Sequence, residues 1–413
     1  MMGIITKQSL EVSKKEIFLL YYSICTHQRK PMPQVQNTEK FSLKDELFNA
    51  EKVEQIALEI GAVYEDFSTE DFVAETLSLF PELELKECIN HIRDMFKKYL
   101  VDDYRQAVTT LLKALPQELD PSKSDDDFGE FIYAPYAEYV TMYGCTEEHL
   151  DFSLLALREI TKRFSVEFAI RDFINAFPKE TLAMLEECST SMNYHERRLA
   201  SEGLRPKLPW AKKLNIKHTE PLQHLDKLFY DKTRYVTRSV ANHLNDIAKI
   251  DAALVVGTLK KWKESQKQNS KEMEFILSHA LRTLVKQGDA DALALLGYAQ
   301  APSIKVSNFK LEGTDVLIGE ALVFDFELEA EEESKLMVDY IIHFRTKAGS
   351  SNPKVHKLKK LNLQKDENMS LTKKHLFKAN MSTRTLYEGE HKVELQINGT
   401  IYESEVFTLS KGK

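Results

Sequence analysis

Cysteine is scarce in this chain of 413 residues. The four, Cys25, Cys88, Cys145 and Cys188, are scattered and form no CxxC pair. That excludes a disulfide framework and a zinc-ribbon site, and it points to reduced thiols in a cytoplasmic compartment. Matches to NxS and NxT such as Asn398-Gly399-Thr400 are then chance. Long apolar runs are lacking too. The stretch 17–25 (IFLLYYSIC), preceded by Lys14 and Lys15, is too short to span a bilayer and no small-residue cleavage site lies after it. There is no P-loop, no GxGxxG following a strand, no HExxH and no GxSxG, so nucleotide, zinc-protease and α/β-hydrolase chemistries lack their local signatures. The twelve histidines are spread singly, and His91, His149 and His243 on helices read as surface or packing residues rather than ligands. No metal and no cofactor is expected. Tryptophan is rarest of all, with only Trp210 and Trp262.

What is present is organised around 193–211, NYHERRLASEGLRPKLPWA. A helix over 194–205 puts Arg198, Glu202 and Arg205 on one face at i, i+4 and i+7, a carboxylate between two guanidiniums, with Leu199, Ala200, Gly203 and Leu204 turned inward. Pro206 and Pro209 stop the helix and place Trp210 at its exit. Upstream, RFSVEFAIRDF over 163–173 repeats the device, Glu167 lying four residues from both Arg163 and Arg171. Either bracket alone reads as a solvated salt-bridge face. Two of them beside a rare Trp suggest a site.

Charge is unevenly placed. The net value is −8, yet residues 193–263 hold 15 Lys and Arg against 7 Asp and Glu, a local basic surplus that fits a polyanion such as DNA. Residues 1–31 differ in pattern from the rest of the chain and are expected to be a poorly ordered extension. Residues 32–301 pattern as helices, for example over 50–60, 68–80 (with Ser68 and Asp71 resembling a capping box) and 85–100, broken by a loop over 116–129. From Thr146 the helices pair with a period near 40, Arg197 and Ala200 recurring 41 positions later as Arg238 and Ala241, with a looser echo over 277–280. That indicates a mainly α architecture, a HEAT-like α-solenoid with a concave surface. Over 302–413 the period changes to two. Strands are expected over 306–311, 321–329, 335–345, 354–363, 370–377, 391–397 and 400–409, an all-β sandwich of immunoglobulin type.

The stretches RRLASEGLRPKLPWA, RFSVEFAIRDF and RSVANHLNDIAK together resemble the AlkC-type DNA glycosylases, HEAT-like relatives of AlkD, and FSLKDELFNAEKVEQIA resembles that family's beginning. The sandwich resembles the immunoglobulin-like domain of one branch. The resemblance implies excision of cationic lesions such as 3-methyladenine and 3-methylcytosine from double-stranded DNA by a monomer, without flipping the base. It implies catalytic roles for Glu167, Glu202 and Trp210, an arginine at Arg198, and DNA-facing Asn242 and Asp246 in the next repeat. Leu204 and Lys207 stand where the family has a small polar residue and Arg. Arg163, Arg171, Arg205 and Arg238 are the further expected DNA contacts, with Lys347, Lys354 and Lys357 on a sandwich hairpin.

The chemistry is set by the leaving group. An N-alkylated base is already cationic and needs no general acid; carboxylates would stabilise the oxocarbenium and position water, kept ionised by their arginines. Trp210 could pack on the sugar. If the site is exposed, Glu202→Gln is expected to move stability by only about 0.5 kcal/mol. Two rivals stay open: a non-enzymatic scaffold binding DNA or a protein through the same face, and an adaptor indifferent to DNA.

Overall fold

The computed structural model describes residues 43–120, 122, 129–379, 381 and 384–412. The expected extension over 1–31 lies outside the described residues, as does most of the acidic run in the 116–129 loop. The described chain is helical from Leu43–Leu47 to Ala290–Leu295 and stranded from Ile304–Leu311 onward. Two compact units divide it: residues 43–250 with 261–280, and residues 251–260 with 281–412. No helix among the described residues is long and apolar enough to cross a membrane.

In the first unit the helices fall close to their expected bounds, at Ala50–Gly61, Thr69–Leu79 and Leu85–Tyr99. The expected capping box at Ser68 is not made, for the Ser68 side chain accepts no bond; Glu84 and Glu87 form one at the next helix instead. Helices Leu150–Thr161, Tyr194–Glu202, Arg234–Ile247 and Ser270–Ala280 recur at the expected spacing. Small buried residues let neighbours approach: Ala200, Ala241 and Ala280 are all fully buried. A ladder of ion pairs also joins successive repeats. Arg158 Nη2 lies 2.8 Å from Glu196, Arg197 Nε 2.5 Å from Asp231, and Arg234 Nη2 2.5 Å from Glu272. Each rung crosses between repeats, so the stacking is specified by polar geometry as well as apolar area.

The second unit holds a sandwich of two sheets. One has the order β1 (Ile304–Leu311), β3 (Ala321–Ala330), β6 (Asn368–Leu376); the other runs β2 (Asp315–Leu317), β8 (Thr400–Ser410), β7 (Gly389–Ile397), β4 (Ser334–Arg345), β5 (Ser351–Leu363). Strand β3 shows why the alternation works: Leu322, Phe324, Phe326, Leu328 and Ala330 all point into the core with Tyr340, Ile342, Val393, Leu395 and Phe407. Each large side chain so buried stabilises the fold by roughly 1.5–3 kcal/mol. Pro353, expected in a turn, lies in β5 opposite His343; β5 is an edge strand, where a missing amide donor is tolerated. Asn398 and Gly399 join β7 to β8 with φ of 47° and 82°, the left-handed pair a tight hairpin needs. Asn398 also donates from Nδ2 to the carbonyls of Ala299 and Lys335 and accepts from Met337 N. Gly399 meets the backbone of Gly288, φ 75°, so closely that a Cβ on either would lie within 3 Å of the other.

Candidate active site

Asn193 caps the helix Tyr194–Glu202, its side chain accepting from His195 N at 2.9 Å. The helix expected through 205 ends at Glu202, and the chain turns at Gly203 and Leu204. Arg205 is thereby brought back onto the last turn. Its Nη1 donates to Glu202 Oε1 at 2.6 Å, and Arg198 Nη2 lies 3.7 Å from the same oxygen. On the other oxygen, Ser239 Oγ donates to Oε2 at 2.6 Å. Burial works to raise the Glu202 pKa, but Arg205, Arg198 and the Ser239 hydroxyl together bring it down to about 2. Asp246 closes the far side of Arg205, with Oδ2 2.9 Å from Nε and from Nη2, and Lys249 Nζ donates to its Oδ1 at 3.2 Å. The Glu202 bracket thus exists, but at 3 % exposure it is buried. The expectation of an exposed carboxylate is overturned, and with it the condition on which the small expected stability change rested.

The other bracket is not a helical face. Residues 162–169 form turns and extended chain ahead of the helix Ile170–Ala176, because Phe164 bridges to Gly129 and breaks the helical ladder. Arg163 faces away from Glu167, donating to the carbonyls of Pro116 and Glu159 and to the Glu159 carboxylate. Glu167, 2 % exposed, accepts instead from Ser165 Oγ and from Arg198 Nη1 at 3.3 Å. Arg198 also donates to Ser165 Oγ at 2.6 Å and stacks 4.4 Å from the Tyr235 ring centroid. It therefore links the two glutamates, which the structure brings together through one guanidinium.

Arg171, expected on a DNA-facing surface, is buried and directs its donors to backbone. Nη1 reaches the carbonyls of Gly203 and Arg205 at 3.1 and 2.9 Å, and Nε reaches Lys212 O at 2.6 Å. Burial first, then Arg205, lowers its pKa to about 10. One helical turn on, Asn175 Nδ2 donates to Lys213 O and Asn175 Oδ1 accepts from Asn215 N. Arg171 and Asn175 therefore hold the 203–215 segment from one helix. That segment presents Trp210, which is 41 % exposed and has φ of 63°. A left-handed backbone at a bulky residue costs on the order of 1–2 kcal/mol and persists only where its surroundings impose it; Lys86 Nζ donates to the Trp210 carbonyl at 3.1 Å. The same segment lines a cavity of about 420 Å³, with Leu204, Leu214, Ile216 and Ile250 in its apolar lining and Lys207 and Lys213 among its cations.

The next helix, Arg234–Ile247, is buried from Tyr235 to its end although polar residues punctuate it. Asn242 Oδ1 pairs with His279 Nε2 at 2.8 Å, and Arg238 is 7 % exposed. Ser239 and His243 were not foreseen as site residues. Their spacing from Asp246, at i, i+4 and i+7, is the signal that could have found them.

In the sandwich the three expected lysines do not form one patch. Lys347 lies in the turn after β4, while Lys354 and Lys357 are three residues apart on β5 and leave it on opposite faces. Lys357 acts on the buried Asp339, whereas Lys354 is lowered by burial, then by Arg384 and Lys286. Arg384 was missed, as it sits in a segment without periodicity. Its guanidinium lies 3.6 Å over the Phe344 ring and its Nη1 is buried without a hydrogen-bond partner. Beside it, burial and the neighbouring charges hold His356 and His375 near a pKa of about 4.

Fold and site define a helical-repeat protein with arginine-caged carboxylates and a C-terminal immunoglobulin-like domain. The family model described as the C-terminal Ig-like domain of the uncharacterised protein YhaZ matches residues 305–411. Uncharacterized protein YhaZ of Bacillus subtilis (strain 168) is 34 % identical over 364 residues, 87 % of this chain and 97 % of that protein. The solved Pseudomonas fluorescens alkylpurine DNA glycosylase AlkC, bound to DNA containing an abasic site analogue, matches with a TM-score of 0.79 and 31 % identity over 90 % of this chain and 100 % of that one. The chain belongs to the AlkC family, in the branch that carries the immunoglobulin-like domain.

Proposed function

We propose that this protein is a DNA glycosylase of base excision repair, hydrolysing the N-glycosidic bond of cationic N-alkylated bases such as 3-methyladenine and 3-methylcytosine in duplex DNA. The observation that carries the reading is Glu202, a buried carboxylate kept ionised by two guanidiniums and a hydroxyl. As the bond from C1′ to the base nitrogen breaks, its electron pair neutralises the base and positive charge appears on the sugar. Fixed negative charge in a water-poor setting favours that charge far more than solvent would. Water then adds to C1′, and a carboxylate takes its proton. Glu167, sharing Arg198 with Glu202, is the second carboxylate of this scheme.

Arg198 and Arg205 act in it as partners of the carboxylates, Arg171 as the holder of the Trp210 segment, and Arg238 and Asn242 as contacts of the next repeat with DNA. On the sandwich, Lys347, Lys354 and Arg384 contribute phosphate contacts, which position a duplex without reading its sequence. The low exposure of Glu202 favours one other reading, a non-enzymatic DNA scaffold whose ion network is structural. Incubation with methylated duplex separates the two by chromatography of free bases. Release of 3-methyladenine or 3-methylcytosine is expected; none, from a folded protein that still binds DNA, would leave the scaffold.

A further inference from the structure

We propose that Ser239 is a positioning residue for this reaction, fixing the plane and the charge of the Glu202 carboxylate from the neighbouring repeat; the inference rests on the glycosylase reading above. Ser239 Oγ lies 2.6 Å from Glu202 Oε2 and 2.9 Å from Ser201 Oγ. A hydroxyl has one proton to give, and an ionised carboxylate can only accept. Ser239 is the donor in both contacts, and its single proton goes to the charged and nearer acceptor, Glu202 Oε2. Both serines are buried, at 2 % and 0 % exposure, so water does not compete for either bond.

Two further side chains on the same face of the helix Arg234–Ile247 grip the same turn. His243, fully buried, stands 3.0 Å from the Ser201 carbonyl through Nδ1. Burial, then Arg205, lowers its pKa to about 3, so the ring is neutral and Nδ1 carries the proton it donates. Asp246 holds Arg205. Positions 239, 243 and 246 thus fasten Glu202, its preceding carbonyl and its guanidinium partner. With Oε1 facing Arg205 and Oε2 on Ser239, the carboxylate cannot rotate without losing a charge-assisted bond. Such prior orientation is what lets a fixed charge act on a transition state without reorganisation.

A hydroxyl that merely glued two helices would, when removed, lower the melting temperature and leave the chemistry of Glu202 alone. Ser239→Ala, Ser239→Thr and the unmutated full chain are compared by three readouts. These are single-turnover release of 3-methyladenine from methylated duplex, affinity for duplex containing an abasic-site analogue, and the ¹³C titration of the Glu202 carboxyl, assigned against Glu202→Gln. Ser239→Ala is expected to slow release about ten-fold, to keep affinity within about two-fold, and to shift the carboxyl titration upward by about one unit. Ser239→Thr, which keeps the hydroxyl, restores the rate. Should threonine not fit, Ser201→Ala removes only the second acceptor of the Ser239 hydroxyl and keeps its bond to Glu202, so release is expected to stay within about three-fold of the unmutated rate; a loss as large as that of Ser239→Ala would count against the proposal. Unmutated protein that releases base while Ser239→Ala matches its rate, or an unmoved Glu202 titration, overturns the proposal. Absence of release from the unmutated protein is instead the failure of the glycosylase reading.

Discussion

Two carboxylates, one in each unit, are buried almost equally and meet opposite fates. Glu202 is 3 % exposed and its pKa falls to about 2; Asp339 on β4 is 4 % exposed and burial pushes its pKa up to about 6. Both have cations nearby. The difference is contact: Glu202 receives donors on both oxygens, whereas Lys357, Lys286 and Lys360 act on Asp339 through space and its Oδ1 is buried without a hydrogen-bond partner. Burial alone neutralises an acid, and only donors built against it keep it charged. Arg205, Arg198 and Ser239 converge on the first carboxylate and hold it in its charged form.

The largest expected effect breaks the better-caged member. Glu202→Gln leaves Arg205 facing a neutral group, and the loss should be about 3 kcal/mol at neutral pH, measured by denaturant unfolding. The pH dependence gives the same comparison a sign. The Glu202 carboxyl binds its proton at lower pH folded than unfolded, so its stabilisation is whole above about pH 4.5 and disappears as pH falls toward 2. Asp339 runs the other way: the folded state takes up its proton first, so this group favours folding increasingly as pH falls from about 6 toward 4. Asp339→Asn should accordingly stabilise the protein by on the order of 2 kcal/mol at pH 7–8 and by little near pH 4. A mutant that is no more stable at pH 8 than at pH 4 would mean that Asp339 is paired or hydrated in solution.

The contrast also shows where sequence suffices. The Glu202 bracket was legible because Arg198 and Glu202 share a real helix. The Glu167 bracket misled because an isolated bridge between Gly129 and Phe164, far apart in sequence, overrides the local period. Seven strands were visible through their alternation; the three-residue β2, parallel to β8, is too short to show one. Polar positions of the helix Arg234–Ile247 look like a solvated face in isolation. They are buried because adjacent repeats pack on both sides, information that no single helix carries.

The smallest expected effect concerns the sandwich. Replacing Lys354 and Arg384 by Ala should weaken DNA binding and flatten its salt dependence by about 0.9 slope units per lost phosphate contact. Replacing Lys357, on the opposite face beside Asp339, should leave the slope unchanged. Equal effects from both faces would contradict the division of β5 into two sides.

The most direct test of the caged carboxylate is the single-turnover excision rate of Glu202→Gln, at a temperature where the variant is shown to be folded. The rate should fall by about 10²- to 10³-fold, while affinity for duplex with an abasic-site analogue holds or improves, since a negative charge that repels phosphate has gone. A folded Glu202→Gln protein that excises 3-methyladenine at the unmutated rate would contradict the account.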